Sequence, residues 1–422
     1  MAAAKIFLSA VRIEGFRSCQ RTFFRPHERL SVLIGRNGAG KTNILQALRL
    51  LKAGVTTHRY RREDVATSRL RIFADFCLGR TAIALRSTIS YLLDEDNSED
   101  VVEVVDEWRL GSLDNSRAPK QKWIPIPPEL ILQKEFMGIV PSALRTSPAV
   151  LRHYYARSAF VAQASIPLRL RKIAAQALSF RSRISYYSAA QFTNPTACPP
   201  SFEVDAEREM SRTGIQRRKE HTRFLYDLYR LNITNSSKYE SYLTLVGKQG
   251  LGLLSRIYFR EVKLASRDIE IRSGGRIVKR KRERILIVPS VQSGTDRLSF
   301  SQLSEGTFKT LALIFYLITD DNNLLLIEEP EVCVHHGLLL SIVELIKSQS
   351  TDKQIIVSTH SDVVLDQLDP DNVFSVTMRN RGGTAVSSLA RGYSKKKIAL
   401  LREYLRSSGN LGEYWRQGGF DR

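Results

Sequence analysis

Apolar and polar positions switch period several times along this chain, and the switches predict its elements. Alternation from Ile6 to Phe16 and from Arg21 to Phe24 predicts two strands. The short apolar run Leu30–Ile34 reads as a buried strand, and Ile44, Leu45, Leu48 and Leu51 then recur at helical spacing. Leu70–Leu78, Thr81–Ser90 and Val101–Leu110 are three further β-like runs, the last two split by the polar loop Asp94–Asp100. They predict an antiparallel sheet attached to the first lobe. Trp123–Pro128 is a breaker-rich linker. Helical patterns follow over Ser142–Arg157 and Val161–Phe180, with Pro167 breaking or starting the second. Ile184–Ser188 reads as a buried strand, and Asn194–Pro200 as a second linker. Ser201–Leu254 looks mostly helical, with apolar stripes at Tyr226, Leu228, Tyr229, Leu231, Tyr239 and Tyr242 but no sustained heptads. Glu261–Ile271, Arg284–Val291, Leu324–Ile327 and Gln354–Ser358 read as strands, and Leu311, Leu313, Ile314 and Leu317 mark a helix. The expected divisions are residues 1–125, a helical insertion over 126–260, and 261–422.

Composition narrows the class. A chain of 422 residues, 43% of them hydrophobic, can bury a large core. No run of 18 apolar residues occurs, so no membrane-spanning helix is expected. Four scattered cysteines without a C-x-x-C pair suit neither a disulfide framework nor a zinc site, which points to a reducing cytoplasm. The 64 Lys and Arg against 43 Asp and Glu leave a net charge of +21. Nucleic acid is the first partner this excess suggests, through phosphate neutralisation, with an acidic protein or anionic membrane surface as the alternative. Basic residues concentrate in His58–Arg62, in residues 169–183 (Arg169, Arg171, Lys172, Arg181, Arg183) and in residues 276–284. A solvated face is the plain reading of each. For 276–284, six basic residues with one acid would repel one another without an anion nearby, which suggests a phosphate-contacting hairpin.

The chemistry begins after the Leu30–Ile34 strand. Gly35-Arg-Asn37-Gly38-Ala39-Gly40-Lys41-Thr42 matches G-x-x-x-x-G-K-[ST] and runs into a helix through Asn43. Glycines let successive N–H groups converge on an anion, and the helix N-terminus adds positive potential. Lys41 suits the outer phosphates and the Thr42 hydroxyl suits Mg²⁺. Far along the chain, Ser304 and Gly306 open a helix whose N-terminus is a further anion site. The strand Leu324–Ile327 runs into Glu328-Glu329-Pro330-Glu331, paired carboxylates at a strand end where a cation is expected. Gln354–Ser358 likewise runs into Thr359-His360-Ser361, offering a histidine to a γ-phosphate.

Together GRNGAGKTN (35–43), QLSEGT (302–307), LLLIEEPE (324–331), STHSD (358–362) and the N-terminal IEGFRS resemble the ATP-binding-cassette ATPases of the soluble SMC, RecF and OLD branch. The resemblance implies an α/β fold: an ABC-ATPase-like P-loop domain with a mixed sheet, flanking helices and an antiparallel β subdomain, interrupted by a helical insertion. It also implies ATP and Mg²⁺ as ligands and a head-to-tail dimer or higher oligomer closed around ATP. Lys41, Thr42 and the backbone of 37–43 would hold ATP, and Ser304 and Gly306 would cap the γ-phosphate of the other copy. Glu328 would orient the Mg²⁺ shell, Glu329 the attacking water, and His360 would sense the γ-phosphate; Gln191 matches the glutamine of the metal shell. Three departures point to slow hydrolysis: Glu328 stands for the commoner aspartate, Glu305 for a second signature glycine, and VCVHH follows Glu331. The chain runs about sixty residues past His360, short of a typical nuclease domain, so any effector, nuclease or toxin, is expected to be separate. The expected role is the ATPase of an antiphage defence system. A DNA repair or recombination ATPase that binds DNA itself, and a scaffold with structural ATP holding an acidic effector, remain as alternatives.

Overall fold

A computed structural model describes residues 5–52, 69–79, 81–92, 101–112, 123–125, 168–205, 220–234, 236–271, 277–319, 321–332, 334–379, 382–392, 395–407 and 409–419. The expected helix over 142–157, the polar loop 94–100 and the basic cluster 58–62 lie outside them. The strands are β1 (Ile6–Glu14), β2 (Thr22–Phe24), β3 (Leu30–Ile34), β4 (Arg69–Leu78), β5 (Thr81–Leu92), β6 (Val101–Leu110), β7 (Ile124–Pro125), β8 (Ile184–Ser188), β9 (Phe202–Asp205), β10 (Arg256–Ile271), β11 (Ile277–Ser293), β12 (Asp296–Leu298), β13 (Leu324–Glu328), β14 (Gln354–Thr359), β15 (Val373–Met378) and β16 (Thr384–Ser388). The helices are α1 (Lys41–Arg49), α2 (Leu168–Ser182), α3 (Glu220–Ile233), α4 (Ser237–Val246), α5 (Glu305–Thr319), α6 (His336–Gln349), α7 (Asp362–Asp366), α8 (Leu389–Gly392), α9 (Lys395–Arg406) and α10 (Leu411–Arg416).

The chain forms two compact units, one of residues 1–186, 321–329 and 346–422, the other of 187–320 and 330–345. In the first, a mixed sheet runs in the order β16-β15-β3-β14-β13-β8. Its middle strands β3 and β14 are buried throughout, and β13 up to its last residue. That is why they read as continuous apolar runs, as parallel strands covered on both faces do. β13, β14, β3 and β15 run parallel to their neighbours, and β16 runs antiparallel to β15. The register sets Glu328 level with Ser358, Ser358 with Leu33, and Thr359 with Ile34. A second, antiparallel sheet follows the order β2-β1-β4-β5-β6-β7. One hydrophobic cluster joins both sheets to α1 and α2, including Leu8, Leu45, Phe76, Trp108, Leu178, Leu326 and Phe374.

At the far edge of that core, Arg181 Nη1 and Asp106 Oδ2 meet at 2.6 Å with side chains 0% and 1% exposed. Arg181 Nε also donates to the Leu51 carbonyl at 2.7 Å. The expectation that 169–183 faces nucleic acid is corrected at this residue. Arg181 is consumed by the core, because a buried guanidinium requires a carboxylate. Arg183 is exposed.

The second unit contains the β10-β11-β12 sheet, with β9 alongside β11, and α3, α4 and α5. Phe192, Phe224, Phe300, Phe308 and Phe315 pack edge to face or tilted at its centre. Two expectations change here. Phe202–Asp205 is a strand within a stretch that reads as helical; backbone pairing with β11 over Arg284–Ile287 overrides local propensity. The basic run lies in a hairpin, as expected, but Lys279 to Arg284 belong to the strand β11 itself, opposite Ile269 to Leu264. Backbone ladder bonds define the strand there.

Candidate active site

The phosphate loop joins β3 to α1. Gly38 and Gly40 take φ values of 78° and 100°, a region that glycine enters without strain. Space also forbids side chains: a Cβ would lie 2.0 Å from Thr384 Oγ1 at Gly40 and 2.2 Å from the Val376 carbonyl oxygen at Gly35. Lys41 is 5% exposed, and its Nζ donates to the carbonyls of Gly35 at 2.7 Å and Arg36 at 3.3 Å. Neutral carbonyls of its own loop therefore accept from the ammonium. Ile44 N donates to the Gly40 carbonyl at 3.0 Å, so the helix winds directly out of the loop.

A hydrogen-bonded buttress braces that loop, and sequence reading did not find it. Thr384 Oγ1, on β16, donates to the Ala39 carbonyl at 3.1 Å and lies 2.8 Å from Ser18 Oγ. Asn43 Nδ2 donates to Ser18 Oγ at 2.7 Å. Arg17 Nη1 donates to Gln46 Oε1 at 2.6 Å and Asn43 Oδ1 at 3.3 Å. The glycine pair at 382–383 signals the turn before β16, but no local pattern says that Thr384 reaches residue 39.

Two strands away, at about 4.8 Å per strand, β13 ends level with β3. Glu328 Oε2 accepts a short hydrogen bond from the Tyr186 hydroxyl of β8. The Arg49 guanidinium of α1 sits 5.1 Å from the Tyr186 ring centroid. Glu329 leaves the strand at φ 45°, and its N donates to the Ser358 carbonyl at 2.9 Å. A non-glycine residue held there is strained by about 1–3 kcal/mol, as residues at functional sites often are. Glu329 Oε1 lies 3.6 Å from His360 Nδ1, the side chains 34% and 45% exposed, so both are open to solvent and to a ligand. Ser361 then caps α7, its Oγ accepting from Val364 N at 3.4 Å.

Lys41, Thr42, Glu328, Glu329 and His360 thus share one sheet and its C-terminal edge, where ligands bind in α/β sheets. The residues also fit a magnesium ion. Thr42 and Glu328 offer oxygen donors at this edge. Sparse protein ligation suits Mg²⁺, which keeps waters and takes phosphate oxygens. Ser358 is fully buried, level with Glu328, and its hydroxyl has no hydrogen-bond partner among the described residues. Such an orphan suits an ordered water of a metal shell.

The remaining expected site residues belong to the second unit. Gln191 lies in the single-turn helix Ala189–Phe192 that follows β8. Ser304 Oγ accepts from Thr307 N at 3.2 Å, confirming it as the cap of α5, with Gly306 in the first turn. Glu305 is tied to the buried Lys309 of the same helix at 2.6 Å.

Comparison with known proteins agrees with these motifs. Residues 7–106 match the family described as AAA ATPase domain, and residues 260–366 match the family described as AAA domain, putative AbiEii toxin, Type IV TA system. The DNA replication and repair protein RecF of Trichlorobacter lovleyi is 48% identical over 46 residues, 11% of this chain and 12% of that protein. RecF of Chloroherpeton thalassium is 46% identical over 41 residues, 10% of this chain and 11% of that protein. The chain therefore matches these relatives over a small part of their length. Among solved structures, an Smc head bound to the C-winged helix domain of ScpA is 14% identical with a TM-score of 0.49, covering 93% of this chain and 99% of that one. An Smc head with an extended coiled coil bound to the C-terminal domain of ScpA, from Pyrococcus furiosus, is 13% identical with a TM-score of 0.46, covering 94% and 99%.

Proposed function

We propose that this chain, an ABC-type ATPase head of the SMC and RecF kind, binds ATP–Mg²⁺, hydrolyses it slowly and dimerises around it. Its state would then pass to a separate effector of an antiphage defence system. The observation that carries the reading is the strand register, which supports one nucleotide edge built from residues 41, 328, 329 and 360. Lys41 and the loop N–H groups would bind the β- and γ-phosphates. Thr42 and Glu328 would hold Mg²⁺, which when bound neutralises charge developing on the phosphates. Glu329 would orient water in line with the γ-phosphorus and take its proton. As the new P–O bond forms, the bond to the bridging oxygen breaks and its electrons leave with ADP. His360 would donate to a γ-phosphate oxygen. Ser304 and Gly306 would serve the nucleotide held by the second copy. The defence role rests on the resemblance of the EEPE and STHS stretches to prokaryotic defence ATPases.

Glu329→Gln tests the assignment. The variant is expected to bind ATP normally, to lose about 100-fold or more in turnover and to accumulate as dimer in size-exclusion chromatography. Turnover at the wild-type rate would show that Glu329 is not the base. The stretch shared with RecF favours a second reading, a repair ATPase acting on DNA. Salt-dependent DNA binding by the purified chain alone would favour it.

A further inference from the structure

We infer that Tyr186 is a positioning residue for the magnesium site: its hydroxyl holds one oxygen of Glu328 and leaves the other for the metal shell. The inference rests on the ATPase reading and deepens it. Tyr186 sits on β8, which flanks β13 at the sheet edge, and its hydroxyl donates to Glu328 Oε2. The Arg49 guanidinium, on the helix that starts at Lys41, lies over the other end of the same side chain at 5.1 Å. The ring is therefore fixed between the phosphate-loop helix and the carboxylate. A glutamate has one more rotatable bond than an aspartate, and its carboxylate samples more positions. A phenol hydrogen-bonded to one oxygen removes that freedom. Ser358, level with Glu328 on the other neighbouring strand, offers a buried hydroxyl without a partner among the described residues. Tyr186 and Ser358 thus stand on the two strands that flank Glu328. Partners of this kind orient metal ligands, and their loss typically lowers metal affinity about 10–100-fold.

The test reads nucleotide binding and needs no turnover. ADP affinity is measured by calorimetry in Mg²⁺ and in EDTA for the full chain, for Tyr186→Phe, for Glu328→Asp and for the double variant. Tyr186→Phe keeps the ring over Arg49, and a thermal melt checks that it folds. It is expected to lower affinity about 10-fold in Mg²⁺ and to leave affinity in EDTA unchanged. Aspartate is shorter by about 1.5 Å, so in the Glu328→Asp background the same change should have no further effect. An unchanged Mg²⁺ dependence in Tyr186→Phe, or an equal effect of that substitution in both backgrounds, overturns the inference while leaving the ATPase reading in place. A wild-type chain that shows no Mg²⁺-dependent nucleotide binding overturns both.

Discussion

Lys41 and Arg181 are both buried cations of the first unit, and their partners separate their roles. Arg181 is closed against the Asp106 carboxylate in a place no ligand reaches. Lys41 donates to two backbone carbonyls of its own loop. A carboxylate cancels the charge and commits the residue to the core. Carbonyl dipoles of the loop hold the Lys41 ammonium where an arriving phosphate can take their place. A basic residue in a segment is thus no guide to anion binding until its partner is known. Arg181, in the most suggestive basic stretch of the middle region, shows this directly.

Three substitutions sharpen the contrast. The largest effect is expected from Asp106→Ala, which leaves the Arg181 guanidinium buried without its carboxylate. Urea unfolding should show a loss of about 3–5 kcal/mol. Replacing both partners with apolar residues, Asp106→Leu with Arg181→Met, should recover most of it. If Asp106→Ala unfolds like wild type, the pair is not the fixed element described here.

Next is Lys41→Met. Its carbonyl acceptors remain paired only in part, so stability should shift by about 1 kcal/mol or less, whereas nucleotide affinity should fall about 100-fold, equivalent to about 2.7 kcal/mol. A large stability loss with nucleotide binding retained would place Lys41 in the class of Arg181. The smallest effect is expected from Thr384→Val. Losing the hydroxyl that braces the Ala39 carbonyl should lower stability by about 1 kcal/mol and nucleotide affinity only a few-fold, as read by calorimetry. An affinity loss as large as that of Lys41→Met would mean that Thr384 touches nucleotide.

Much of the site was legible because it is written in short contiguous pieces. The strand Leu30–Ile34 and the helix from Lys41 emerge within a residue or two of their sequence pattern, since burial on both faces gives an unbroken apolar run and helical burial gives a spacing of three and four. Ile184–Ser188 and Val101–Leu110 also match the expected spans. Phe202–Asp205 did not, because a four-residue strand has too few positions for a period and is defined by its neighbour β11. The extent of the strand in the basic ribbon was missed for a related cause: charged residues along Lys279–Arg284 hide strand alternation, while the ladder with β10 is carried by backbone groups.

By itself, the sequence determined that a phosphate loop, an acidic strand end, a capped signature helix and a histidine strand end occur in an order suited to nucleotide chemistry. Each is a local motif whose backbone shape follows from its own residues. Only the tertiary structure decided that Thr384 braces a loop 345 residues away, that Tyr186 holds Glu328 across 142 residues, and that Arg181 belongs to the core. Those pairings depend on strand order and register, which arise from burying the whole sheet at once, and no window of neighbouring residues contains them.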